Sequence, residues 1–221
     1  EVIAASEGSL RAIALTAATN ANLLREQADI FRPRWIVVAD SETSEQHDWS
    51  GLPDGVELLT GDDAISQVAG ADEVDVVLSA IVGSAGLQGT LAALEAGKTL
   101  ALANKESLVV AGPLVTALAR RNGATILPVD SEHSAVFQAL EAGRREEVKR
   151  VILTASGGPF RNLRREELDD VTIEQALNHP TWNMGPKITV DSASMMNKAL
   201  EIIEASWLAL ADSMEYGITF S

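Results

Sequence analysis

The chain has 221 residues, 46% of them hydrophobic and 22% charged, which is apolar mass for one large globular domain or one and a half smaller ones. Seventeen basic residues against thirty-two acidic give a formal charge of −15. That balance opposes nucleic acid or an anionic membrane as a general partner, and it requires any anionic ligand to be held by a local cluster of donors. Cysteine is absent, which excludes disulfides, thiolate metal sites and thiol nucleophiles and fits a reducing cytoplasm. No apolar run reaches transmembrane length, and the N-terminus lacks a secretory pattern.

Glu1–Ala5 reads as the tail of a helix. The first half then alternates short apolar runs with helix-like stretches, the pattern of a parallel sheet covered by helices. Strands are expected at Ala12–Leu15, Trp35–Ala39, Val56–Leu59, Val74–Ser79 and Thr99–Ala103. Helices are expected at Asn20–Phe31, Gly61–Ala69 and Leu87–Ala96, with Asn20 as a start signal and Gly97 as a stop. Ser41–Gly55 reads as a surface loop with one helical turn. The fold class is α/β, doubly wound, and such sheets bind ligands at the carboxyl ends of their strands. Thr16–Asn20 and Ile81–Gly86 lie at such ends, although a glycine-containing turn needs no ligand. No G-x-G-x-x-G fingerprint is present.

Ala101–Ala103 delivers Asn104, Lys105 and Glu106 in succession. They form either a capped turn with a Lys105–Glu106 pair or a lysine held to orient a substrate oxygen. After a helix at about Pro113–Arg121, the strand Ala124–Val129 ends in Asp130-Ser131-Glu132-His133. In extended backbone, residues two apart face the same side, so Asp130 and Glu132 are expected to aim at one point. Two carboxylates at the end of a buried strand resist desolvation without a cation between them, which favours a divalent metal; a pair simply solvated at a loop start is the alternative that this stretch leaves open.

A helix near Ser134–Leu140 and a strand at Val151–Thr154 lead into Ala155-Ser156-Gly157-Gly158, a turn that can offer a hydroxyl and N–H groups to phosphate, although as a tight turn the same residues need no ligand. Asn178–Lys187 carries two prolines and a glycine and reads as a loop, with Trp182 either closing over a ligand or anchoring the loop to the core. The last segment reads as one helix running from Asp191 to about Ala209. Asn197, Lys198 and Glu201 share a face of it; Lys198 and Glu201 read either as a helix ion pair or, if that face is buried against the Asp130 strand, as a site where Glu201 supplies a third oxygen ligand.

Together, ALANKESLV, LPVDSEH, TASGGPF, HPTWNMGPK and VDSASMMNKALE resemble the 1-deoxy-D-xylulose 5-phosphate reductoisomerase family in order and spacing, from Glu1 to about Leu208. The resemblance implies a Rossmann-like NADPH-binding domain, residues 1–122, with its first strand missing. An α+β catalytic domain, residues 123–221, would follow. It implies rearrangement and NADPH reduction of the sugar phosphate to 2-C-methyl-D-erythritol 4-phosphate by a homodimer, with Mg²⁺, Mn²⁺ or Co²⁺ as the metal. Carried over by motif position, Asp130, Glu132 and Glu201 hold the metal. Lys105, Ser131 and His179 contact the substrate, with Lys105, Glu132 and His179 as catalytic residues. Ser156, Ser192, Asn197 and Lys198 take the phosphate, Trp182 and Met184 cover the site, and Asn20, Asn104, Glu106 and Gly185 face the cofactor.

The family's glycine-rich loop would precede Glu1, and the tail Ala211–Ser221 does not follow the family's strand. The chain therefore reads as a fragment, and the alternative function is an inactive, folded or dimerising remnant. A different NAD(P)-dependent sugar dehydrogenase on the same fold is a third reading, which explains neither the carboxylate pair nor Glu201.

Overall fold

The computed structural model describes residues 1–208 and 215–220. The elements in chain order are α1 (Val2–Ala5), β1 (Ala14–Ala17), α2 (Ala21–Phe31), β2 (Trp35–Val38), α3 (Ser41–Gln46), β3 (Glu57–Thr60), α4 (Asp62–Ala69), β4 (Val76–Ser79), α5 (Leu87–Glu95) and β5 (Thr99–Leu102). Then come α6 (Lys105–Asn122), β6 (Thr125–Pro128), α7 (Ser131–Glu141), β7 (Arg150–Ala155), α8 (Ile173–Leu177), α9 (Pro186–Ala193), α10 (Met196–Trp207) and β8 (Glu215–Phe220). The sheets run in the orders β1-β2-β3, β4-β5-β6 and β7-β8.

The chain divides into two compact units. One comprises Glu1–Ser79, Ala85–Leu100 and Leu118–Thr125, and the other comprises Ala80–Ser84, Ala101–Ala117 and Ile126–Ser221. In the first, β2 is the middle strand of a parallel sheet, in register Ala14↔Trp35 on one side and Trp35↔Glu57 on the other. Its sequence dictates that place, because all four residues of Trp-Ile-Val-Val are buried, as a strand covered on both faces requires. Ile36 and Val38 pack with Leu24 and Ala28 of α2, whereas Trp35 and Val37 pack with Ala64 and Val68 of α4. The period of two thus divides one strand between two helical layers. Asn20 starts α2 as expected, its side chain accepting from Leu23 N–H at 3.3 Å.

Several boundaries move. β1 begins two residues later than expected, and Ser41–Gln46 supplies the helical turn of the surface segment behind an Asp40 cap. The helix expected at Pro113 begins at Lys105 instead and breaks at Ala111 (φ −135°, ψ 27°), because Pro113 lacks the N–H that would continue the ladder. The helix expected from Asp191 is two helices, α9 and α10, separated where Met195 takes φ +63°. Asp191 and Ser192 accordingly belong to α9. Gly185 and Pro186 occupy the N-cap and first position of α9, where a proline's fixed φ suits the helix. Residues 215–220 form β8, parallel to β7 from Arg150↔Glu215 to Ala155↔Phe220. The expected helix end at Ala209 and residues 211–214 of the tail lie outside the described residues.

Candidate functional site

Residues of the second unit build the site. β6 ends at Pro128 and α7 begins at Ser131, so Asp130 occupies the N-cap position and Glu132 the first helical turn. This corrects the extended geometry expected for the pair: the two carboxylates converge because the chain turns into a helix between them. From α10, Glu201 comes to the same place, and the ligand oxygens of Asp130, Glu132 and Glu201 all lie within 4.8 Å of one another.

Two ammonium groups lie among them. Lys198 Nζ donates to Glu132 Oε1 at 2.7 Å and to Glu201 Oε2. Lys105 Nζ donates to Asn197 Oδ1 at 2.9 Å and lies 3.5 Å from Glu201 Oε1. It also pairs with Asp130 Oδ2 at 2.5 Å, without the alignment of a hydrogen bond, so that buried oxygen has no hydrogen-bond partner. Asn197 Nδ2 donates to Glu201 Oε1. Lys198 and Glu201 are 5% and 1% exposed, which makes them a buried pair reaching across to α7 rather than a solvated helix ion pair. Lys105 pairs with Asp130 and not with its neighbour Glu106.

Burial opposes the charge on Lys105, but Asp130 and Glu201 outweigh it and raise its pKa. Burial also opposes the charge on Glu132, yet hydrogen bonds from Lys198 and Ser131 hold its pKa below the ordinary value. For Glu201 burial prevails over both lysines, and its pKa is raised.

Behind this group lies a second one that the sequence reading missed. His133 and Glu204 are both fully buried. His133 Nε2 pairs with the Glu201 main-chain carbonyl at 2.8 Å, which places the proton on Nε2 and leaves Nδ1 as an acceptor 3.3 Å from Glu204 Oε2 and 3.8 Å from Asp130 Oδ2. Burial, with the nearby Asp130 charge, pushes the Glu204 carboxyl up to about 8, and burial lowers His133. A protonated Glu204 carboxyl beside a neutral imidazole accounts for both directions. The spacing Lys198, Glu201, Glu204, three residues apart each time, was the available signal, since it continues one helical face.

A cavity of about 410 Å³ opens on the carboxylates. Asp130, Ser131, Glu132 and Glu201 line it together with Ser156, Ser192, Asn197 and Lys198. His179, Trp182 and Met184 of the 178–185 loop line it as well. His179 Nδ1 accepts from Thr181 N–H at 3.2 Å and Trp182 N–H at 3.0 Å, so a neutral ring carries its proton on Nε2. Trp182 is 58% exposed and does not anchor the loop to the core. The turn at 155–158 is set by close approach, because a Cβ at Gly158 would collide with the Ser192 carbonyl. Lys105, Asn104, Glu106 and Gly185 do not line the cavity, and Asn20 belongs to the other unit.

An all-oxygen set of three carboxylates suits a hard divalent cation. The convergence of the three carboxylates fits such an ion.

Comparison with known proteins settles the family. The family model of 1-deoxy-D-xylulose 5-phosphate reductoisomerase matches residues 1–112, and that of its C-terminal domain matches residues 126–209. The 1-deoxy-D-xylulose 5-phosphate reductoisomerase of Geobacter metallireducens is 52% identical over 208 residues, 94% of this chain and 54% of its own length. This chain belongs to the 1-deoxy-D-xylulose 5-phosphate reductoisomerase family. The protein of the same name from Heliobacterium modesticaldum is 53% identical over 212 residues, again 54% of its length, so the chain spans about half of these relatives.

A crystal structure of DOX-P reductoisomerase in complex with NADPH, fosmidomycin and magnesium matches with a TM-score of 0.86 at 38% identity, covering 99% of this chain and 56% of that one. The reductoisomerase from Zymomonas mobilis in complex with NADPH matches at 0.83 and 42% identity, covering 98% and 56%. Among the described residues, no helix is long and apolar enough to cross a membrane.

Proposed function

We propose that this chain carries the metal- and phosphate-binding site of a reductoisomerase that converts 1-deoxy-D-xylulose 5-phosphate to 2-C-methyl-D-erythritol 4-phosphate with NADPH. The observation that carries the reading is the convergence of Asp130, Glu132 and Glu201 in a cavity that Ser156, Ser192, Asn197 and Lys198 also line. Asp130, Glu132 and Glu201 would hold Mg²⁺, Mn²⁺ or Co²⁺, which when bound supplies Lewis-acid polarisation of a substrate carbonyl.

The chain's own residues do the rest. Lys198 and the hydroxyls of Ser156 and Ser192, with the Asn197 amide, take the phosphate, supplying locally the donors that a chain of charge −15 lacks overall. Ser131 and Lys105 orient the reacting oxygens, and Lys105 stays charged because carboxylates flank it. His179 presents Nε2–H to a substrate oxygen, and Trp182 and Met184 exclude water from above. Asn104, Glu106, Gly185 and Asn20 are assigned to the nicotinamide cofactor, residues 1–122 to its domain, residues 123–221 to the catalytic domain, and the working assembly to a homodimer.

Lys105 and Lys198 support one competing reading, in which the carboxylates are a structural ion-paired core. Calorimetry on this chain separates the two. The proposal expects Mn²⁺ to bind, the sugar phosphate to bind in Mn²⁺ and not in chelator, and Glu201→Ala to abolish both. Absence of Mn²⁺ binding by the folded chain establishes the structural core instead.

A further inference from the structure

Outside the cavity, a line of polar contacts joins three segments of the second unit. Asn104 Nδ2 donates to the carbonyls of Ile81 and Gly83, the latter at 2.8 Å, and reaches Glu106 Oε2 at 3.3 Å. Its Oδ1 accepts from Ser107 N–H at 2.9 Å and so caps α6. Glu106 presents its other oxygen to Lys187 Nζ at 2.5 Å, and Lys187 also pairs with Asp191 Oδ2 at 2.7 Å. A lone i,i+4 pair on α9 would leave Glu106 aside; here the ammonium bridges two helices.

Lys187 is the second residue of α9, directly after the loop that carries His179, Trp182 and Met184 over the cavity. Glu106 and Asp191 are both largely covered, with side chains 18% and 21% exposed. Without the ammonium they would face each other as anions, and the start of α9 is where that repulsion would be relieved. Burial works against the Lys187 charge, but hydrogen bonds to the two carboxylates raise its pKa, so the bridge persists at neutral pH.

We infer that Lys187 is a positioning residue: by bridging Glu106 and Asp191 it seats the end of the 178–185 loop and ties that loop to the Asn104–Glu106 corner. That the corner faces a nicotinamide cofactor rests on the proposed function; the tie itself does not. Where the cofactor does bind there, any demand it makes on Glu106 reaches the loop through Lys187.

Hydrogen exchange read by mass spectrometry on the 221-residue chain tests this without ligand. Lys187→Met should make the amides of residues 181–185 exchange about threefold faster, the scale of one partly exposed ion pair. Glu106→Gln should do the same from the other end, and the double variant no more than either alone. Lys187→Arg, which keeps the cation, should restore protection, and the α7 peptide should be unchanged in every variant.

Unchanged exchange in Lys187→Met, an equal rise in α7, additive effects or failure of the arginine would each overturn the inference. Addition of NADPH, with binding read by its own fluorescence, forms a separate arm. A change in the loop that Lys187→Met abolishes supports the tie. A bound cofactor that shifts the loop equally in both chains overturns it. Absence of binding removes the cofactor reading and leaves the ligand-free result to decide.

Discussion

Glu204 has no exposed surface and neither of its oxygens has a hydrogen-bond partner, which fits a carboxyl raised to about 8. Its ordinary value is 4.5, so in between the folded chain keeps a proton that the unfolded chain releases. More protons on the folded state mean that stability falls as pH rises, up to the folded pKa. His133 acts oppositely but only below the ordinary histidine value of 6.5, because its pKa is lowered. Between pH 6.5 and 8 Glu204 therefore contributes a loss of about 2 kcal/mol, and Glu201, whose pKa burial also raises, acts in the same direction. Urea melts of the metal-free chain should show that loss, and Glu204→Gln should flatten it. The sequence displayed Glu204 but not its burial, which depends on α10 packing over α7. Asp130 and Glu132 were legible as a converging pair although the local geometry expected of them was wrong. Spacing limits where two side chains can meet, while whether the chain between them is strand or helix depends on where β6 stops.

At the scale of elements, legibility followed the strength of the local signal. β2 was plain because Trp-Ile-Val-Val is apolar throughout, and the start of α2 was plain because Asn20 has an amide to cap with. The joins between helices were not. Pro113 suggested a beginning, yet Asn104 caps the helix earlier and the break falls at Ala111. Met195 looks like an ordinary helical residue, yet it takes φ +63° where α9 gives way to α10. Gly112, beside the α6 break, shows what the sequence could not: a Cβ there would run into the Trp207 indole of α10. Gly112→Ala should destabilise the chain by about 1–3 kcal/mol in denaturant melts, the usual range for overpacking. Replacing Trp207 with Leu in the same chain should recover part of the loss.

For the molecule as a whole, the recognisable motifs come from distant segments, and each alone is weak. Lys105, Asp130, Ser156, His179 and Glu201 lie in one compact unit that also draws in Ala80–Ser84, a grouping with no counterpart in chain order. Family membership was readable because order and spacing of motifs survive without knowledge of contacts. The roles of the two lysines were not, since Lys105 and Glu106 are adjacent in sequence yet pair with different helices. The size of the assembly belongs to this scale too: the proposed homodimer should elute from gel filtration at about twice the 23.4 kDa chain mass, and a monomeric peak would refute it for this chain.

The pairing of three carboxylates with two ammonium groups has a thermodynamic consequence. With Asp130, Glu132 and Glu201 ionised against Lys105 and Lys198, the pocket's own charge is one unit negative and repels a phosphate dianion. A bound divalent cation reverses that sign. On the proposed function, cation and anion would then be mutually cooperative ligands, each strengthening the other by the same factor, as linkage demands. Titrating inorganic phosphate at several fixed Mn²⁺ concentrations, and Mn²⁺ at several fixed phosphate concentrations, should return one coupling constant from both directions.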